Sequence, residues 1–224
     1  MRITFYRTRR GQEQLALDEF LTSAREEGYD GVEDVSMPEG LEKYGLKLKG
    51  TYQSTNTSDF TQHAKELEAG VRNLLEAKPF LISLQTGKDH FRFDQNTQLL
   101  LMSRRIAQER KVTIIQETQR GKCCFAVHIA RQYLEAMPWL KLDLDLSQWF
   151  TVAGGYLEDQ AESVELALTR TVHVQARMGE MDDPEQYLAQ WDKVVAQHRK
   201  MGTPELGFTC DLEMKNILMS RYVK

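Results

Sequence analysis

Eight short apolar segments recur along the 224-residue chain, and amphipathic helical stretches separate most of them. That alternation constrains the fold more than any other feature, because strands joined by helices pair in parallel and need both faces of their sheet covered. The segments are Ile3 to Arg7 (ITFYR), Gly31 to Val35 (GVEDV), Leu46 to Gln53 (LKLKGTYQ), Pro79 to Gly87 (PFLISLQTG), Val112 to Glu117 (VTIIQE), Leu140 to Leu146 (LKLDLDL), Thr171 to Arg177 (TVHVQAR) and Leu206 to Glu213 (LGFTCDLE). Leu15, Phe20, Leu21 and Ala24 form one helical stripe after the first, and Phe60 to Ala77 is an amphipathic helix after the third. Only PEGLEKYG lies between the second and third, so one helix is cut down. Eight such units favour a closed (β/α)8, or TIM, barrel of the α/β class over an open doubly wound sheet. A barrel of this kind typically takes ~250 residues, so this one is shortened. No linker, low-complexity run or internal repeat divides residues 1–224, which read as one domain.

Charge and composition narrow the partners. A net charge of −4 offers no general attraction for nucleic acid or an anionic membrane. No apolar run approaches the ~18 residues of a membrane span, and MRITFYRTRR lacks the apolar core of a secretory signal. Cys123, Cys124 and Cys210 have no metal-site spacing and are odd in number, which fits a reducing, cytoplasmic setting.

Period 2 sorts the later strands. Thr113, Ile115 and Glu117 share one face of the fifth; Asp143 and Asp145 oppose Leu142, Leu144 and Leu146 in the sixth. In the seventh, Thr171, His173, Gln175 and Arg177 oppose Val172, Val174 and Ala176; in the eighth, Thr209, Asp211 and Glu213 oppose Phe208 and Cys210. Four successive strands thus aim polar groups into the barrel at their C-terminal ends, where barrel enzymes keep their chemistry. A single acid near a strand end is ordinarily a helix cap or a solvated loop residue. Carboxylates on three consecutive strands with an amide on the fourth would repel one another, and a divalent cation would relieve that. Oxygen donors of this kind suit Mg²⁺ or Mn²⁺ better than Zn²⁺. Lys88 and Arg177 could hold a substrate phosphate or carboxylate, or be rim charges in solvent.

The segments LISLQTGKDHFRFDQN, IIQETQRGKCCFAVHIARQYLE, LDLDLSQWF, YLEDQ, TVHVQARMG and LGFTCDLE together resemble the xylose isomerase-like superfamily of sugar phosphate isomerases and epimerases. The resemblance covers most of the chain. It implies that Glu117, Asp145, Gln175 and Asp211 occupy four metal-ligand positions, with Glu117 and Asp211 as the catalytic bases. It also places Gln148 at a substrate-contact position, Arg177 near a substrate-binding loop and Arg120 near the mouth. Gln85 and Gln119 stand in matching motifs and are assigned to the substrate with Lys88. Trp149 flanks the sixth-strand loop and could stack on a sugar face or simply pack in the barrel. The departures are specific: Gln85, Gln119, Gln148 and Gln175 stand where relatives have His, and Asp211 stands where they have Glu. A glutamine can ligate a hard cation but cannot act as a general acid or base near neutral pH.

Three functions are therefore expected to compete. The first is metal-assisted isomerisation or epimerisation of a sugar or sugar phosphate, through proton abstraction next to a carbonyl. The second is a lyase or hydratase acting on an oxidised sugar or polyol. The third is an inactive barrel acting as a binding subunit. Repair-type endonuclease activity is disfavoured, because the chain has neither a His-rich metal cluster nor a basic groove. The expected partner is a small carbohydrate rather than nucleic acid or membrane, with a homodimer left open.

Overall fold

The structure is a computed structural model that describes residues 1–33, 41–178 and 183–223. Its strands are β1 (Arg2–Thr8), β2 (Gly31–Glu33), β3 (Lys47–Gln53), β4 (Leu81–Gln85), β5 (Thr113–Glu117), β6 (Leu142–Leu144), β7 (Thr171–Gln175) and β8 (Glu205–Thr209). They close into a barrel in sequence order, every neighbouring pair parallel, with β1 joined to β8. The (β/α)8 expectation holds. Asp34 and Val35, assigned to the second strand, lie outside the described residues, as do residues 179–182.

The helices are α1 (Leu17–Glu26), α2 (Leu41–Tyr44), α3 (Phe60–Leu75), α4 (Phe93–Arg110), α5 (Val127–Ala136), α6 (Leu146–Ala153), α7 (Ala161–Arg170), α8 (Pro184–Lys200) and α9 (Leu212–Tyr222). The four-residue α2 is the shortened unit. In α8, Asp183 caps the N-terminus by accepting from Glu185 N, Pro184 opens the first turn, and His198, Arg199 and Lys200 close the last. Its buried Tyr187, Leu188, Trp191, Val194, Val195 and His198 follow the helical period.

Two segments end earlier than their apolar patterns suggest. The sixth strand stops at Leu144 because Asp145 caps α6, its carboxylate accepting from Ser147 N. The eighth stops at Thr209 because Asp211 caps α9, accepting from Met214 N. In both places an alternating run passes into a helix whose first turn continues the apolar spacing.

Outward-facing Leu142, Leu144, Val174, Leu206 and Phe208 pack with Phe150, Tyr187, Trp191 and Leu218 in the main core. Ile82 and Leu84 make a smaller one with Leu67, Val71, Leu99 and Ile106 beneath α3 and α4. The inward face is unusually polar for a packed barrel, where branched apolar residues ordinarily dominate. Thr4, Glu33, Lys49, Ser83, Glu117, Asp143, His173, Gln175 and Thr209 are all buried.

Register sets those groups side by side: Glu33 pairs with Lys49, Glu117 with Asp143, Asp143 with His173, and Gln175 with Thr209. Gly207 faces His173, and a Cβ there would lie 2.4 Å from His173 Nδ1. Gly207→Ala must therefore displace an imidazole whose Nε2 lies 2.8 Å from Thr209 Oγ1. We expect it to cost about 1–3 kcal/mol of stability in equilibrium urea unfolding, whereas Gly155→Ala, which meets open space, should leave the midpoint near that of the parent.

Candidate active site at the C-terminal mouth of the barrel

A buried ammonium organises the interior. Lys49 Nζ contacts Glu33 Oε2 and lies 2.7 Å from Asp143 Oδ2. Ser83 Oγ donates to Asp143 Oδ2 at 2.6 Å, and Thr209 Oγ1 to Glu33 Oε2 at 3.0 Å. Gln175 Nε2 donates to Glu33 Oε2 and Asp143 Oδ2, each at 3.1 Å. Burial alone would neutralise Lys49, but the carboxylates of Asp143 and Glu33 outweigh it and hold the amine above its ordinary pKa. Conversely, burial would raise both acids, and Lys49 holds Glu33 and Asp143 below the usual carboxylate range. Burial, then Lys49, pushes His173 down to about 4, so its ring is neutral at pH 7.

The next layer is built on that one. With its amide nitrogen facing two carboxylates, Gln175 must turn Oε1 the other way, where it accepts from Arg177 Nη2 at 3.0 Å. Arg177 also lies 3.6 Å from Glu33 Oε1. Its guanidinium lines a cavity of about 380 Å³ at the C-terminal mouth, together with Glu33, Gln85, Glu117, Arg9 and Arg10. Glu117 is buried and its Oε1 has no hydrogen-bond partner. Burial first, then Asp143, pushes its pKa well above the carboxylate range. Asp145 is buried as well; its Oδ1 accepts from Ser147 N at 3.0 Å and Ser147 Oγ at 2.5 Å, while burial raises its pKa to about 6 against the pull of Arg177.

The site expected from the sequence is assembled only in part. Glu117, Gln85 and Arg177 line one cavity, and Asp145 and Gln175 are buried beside the same charges. Asp211 does not join them: as the exposed cap of α9 it is turned to its own helix, and the last inward side chain of β8 is Thr209. Trp149 is fully packed, its indole N–H donating to Cys124 O, so it has no face for a sugar. Arg120 Nε donates to Gln148 Oε1, and Lys88 Nζ to Asn56 Oδ1. Gln119 is half-buried and accepts through its backbone carbonyl from Lys122 N. None of Trp149, Arg120, Gln148, Lys88 and Gln119 lines the cavity.

Glu33 and Lys49 were missed as functional residues. Leu46 and Leu48 alternate with Lys47 and Lys49, so the same period-2 sorting would have turned Lys49 inward. Asp143 is inward by that pattern, but nothing in it identifies a cationic partner.

The residues do not fit the divalent cation. Of the four positions carried over as ligands, Gln175 has both ends of its amide engaged and Asp211 caps a helix. Among the described residues no group of three His, Cys, Asp or Glu side chains is placed to hold a metal ion. The cation the interior carboxylates do hold is Lys49.

No family model and no curated protein matches the chain. Solved structures do. A xylose isomerase domain containing protein from Salmonella typhimurium LT2 is 13% identical, with a TM-score of 0.67 over 98% of this chain and 97% of that one. The probable 3-DHS dehydratase AsbF from Bacillus anthracis is 15% identical, with a TM-score of 0.64 over 97% and 96%. A D-psicose 3-epimerase from Clostridium cellulolyticum H10 is 9% identical, with a TM-score of 0.63 over 92% and 84%. An endonuclease IV and a barrel in complex with magnesium share the architecture too, so fold alone selects no chemistry.

The raised pKa of Glu117 has a measurable consequence. Below about pH 3 the carboxyl is protonated in folded and unfolded chains alike. As pH rises through the ordinary carboxylate range the unfolded chain releases its proton first, so stability falls until the folded pKa is passed. Glu117→Gln removes that loss. We expect variant and parent to unfold alike in acid and the variant to be more stable at about pH 9, by about 1.4 kcal/mol for each tenfold gain in proton affinity. Urea unfolding across pH checks it; a variant less stable than the parent at alkaline pH contradicts it. The closed eight-stranded frame and these structural likenesses together make the chain a (β/α)8 barrel similar in fold to a xylose isomerase domain containing protein.

Proposed function

We propose that the chain is an isomerase or epimerase of a small sugar or sugar phosphate, moving a proton on the carbon next to a carbonyl. The observation that carries this reading is a buried carboxyl with an unpartnered oxygen, Glu117, in the same small cavity as the Arg177 guanidinium. Glu117 in its ionised form takes the proton from carbon, and the C–H electrons pass to the carbonyl oxygen as an enediolate. Arg177 stabilises that oxygen by charge and N–H donation. Glu117 then returns the proton to the neighbouring carbon while the enediol hydroxyl proton passes to the other oxygen, which completes isomerisation; epimerisation instead requires a proton delivered to the opposite face of the first carbon. The raised pKa of Glu117 makes it a stronger base than an ordinary carboxylate. The metal-assisted form of this reaction is not the one the donor set supports. Gln85, on the cavity wall, is suited to a substrate hydroxyl, and Arg9 and Arg10 to a phosphate or carboxylate at the mouth. Three buried free cysteines suit a reducing, cytoplasmic setting.

A second reading has one observation in its favour, the likeness to a probable dehydratase. The same proton abstraction followed by loss of a β-hydroxyl would make the chain a lyase.

Proton NMR in D₂O with a panel of aldoses, ketoses, their phosphates and hydroxylated keto acids tests both. The proposal expects deuterium to enter at the carbon beside the carbonyl with all hydroxyls retained. Loss of a hydroxyl with a new conjugated carbonyl marks the lyase, and no exchange on any member marks a binding barrel. Glu117→Gln should lower the exchange rate about 10²–10⁴-fold. In the parent, kcat/KM should rise with pH through the elevated Glu117 pKa; a rate already at its plateau at about pH 5 would remove Glu117 from the role of base.

A further inference from the structure

We infer that this barrel carries its cation as a side chain: the Lys49 ammonium occupies the role of a divalent metal among the interior carboxylates, and the described residues form no stoichiometric divalent-cation site at its mouth. This concerns the same site as the proposed reaction but does not rest on it.

Geometry carries the inference. Lys49 comes from β3 and reaches the carboxylates of β2 and β6, touching Glu33 Oε2 and lying 2.7 Å from Asp143 Oδ2. It is completely buried, as are both acids. A dication within reach of those oxygens would meet the ammonium at close range, and the repulsion between the two cations subtracts from what either gains from carboxylates already neutralised by Lys49. Gln175 adds a second obstacle. Its amide nitrogen donates to Glu33 and Asp143, and those two carboxylates, which can only accept, prevent the amide from turning over. Its carbonyl therefore stays with Arg177. A metal drawing on Gln175 Oε1 would have to displace a guanidinium. A third observation is the charge count on the mouth side: Arg177 lies between Gln175 and Glu33 and supplies a second fixed positive group. Two side-chain cations thus serve the interior acids.

The substitutions agree with this arrangement. Imidazole at position 175 would offer a metal a lone pair, whereas the amide present there donates to the acids that Lys49 neutralises. Thr209 donates to Glu33, on the strand whose acid, Asp211, is turned out to cap a helix.

The test is Mn²⁺ binding, read by electron paramagnetic resonance on protein freed of metal with chelator. The inference expects the parent to show no one-to-one site tighter than about 100 μM, and chelator to leave its thermal midpoint unchanged. One Mn²⁺ per chain bound tighter than about 100 μM, and lost in Glu117→Gln or Asp145→Asn, overturns it. Lys49→Ala supplies the converse. With the ammonium gone, Glu33 and Asp143 need another cation, so this variant should bind Mn²⁺ at least tenfold tighter than the parent and gain midpoint when Mn²⁺ is added. A folded Lys49→Ala that gains no Mn²⁺ affinity overturns the claim that the ammonium stands in the metal's place. Should Lys49→Ala not fold, the parent's titration decides alone. Neither measurement involves turnover, so an inactive protein could still support the inference, and an active one could still contradict it.

Discussion

The Lys49 ammonium between Glu33 and Asp143 is the interaction on which the rest of this barrel depends. An isolated charge in a protein interior costs far more than a domain's net stability, so each of the three groups is tolerable only with the others. Their contacts cross the barrel: Lys49 is on β3, Glu33 on β2 and Asp143 on β6, with Ser83 of β4, Gln175 of β7 and Thr209 of β8 donating to the same oxygens. Six strands are thereby tied to one cluster. A well-packed apolar set of similar volume could be as stable, but removing one partner typically costs about 3–5 kcal/mol.

That constraint passes upward to the site. Because Glu33 and Asp143 hold the amide nitrogen of Gln175, the amide oxygen faces Arg177; because Arg177 is held there, its guanidinium lines the cavity that Glu117 shares. Glu117 itself stays outside the hydrogen-bonded cluster. Its buried, partnerless Oε1 and raised pKa are what an acid/base catalyst needs, and the raised pKa follows from burial first and then from the neighbouring Asp143 carboxylate, against the pull of Lys49. The interior therefore divides its carboxyls into two kinds, a pair kept ionised by an ammonium and one left able to exchange a proton.

Much of the frame was legible in the sequence. Eight apolar segments alternating with helices can hardly close otherwise, and period 2 turned Glu117, Gln175 and His173 inward. What misled was the end of each pattern. LKLDLDL and LGFTCDLE alternate through Asp145 and Asp211, yet both acids cap helices, since a carboxylate followed by Ser147 N or Met214 N finds donors sooner by starting a helix than by extending a strand. Trp149 was assigned to the site by its neighbourhood and is instead packed, its indole N–H on the Cys124 carbonyl. Lys49 could have been turned inward by the alternation of LKLK, but that pattern names no acid to receive it, and Glu33 lies in a three-residue strand too short to show a period. Only the register of β2 on β3 sets them opposite each other, and the alternation of apolar residues within each strand does not state that register.

The charge state of Lys49 tests the account most directly. Nitrogen-15 NMR of the protein with labelled lysine side chains reads the protonation and solvent exchange of each Nζ. The account predicts one ammonium resonance, absent in Lys49→Met, that exchanges slowly with water and stays charged above about pH 10.4, where an ordinary lysine is half titrated. A Lys49 Nζ that exchanges as fast as the surface lysines, or that loses its proton at or below that pH, would contradict it.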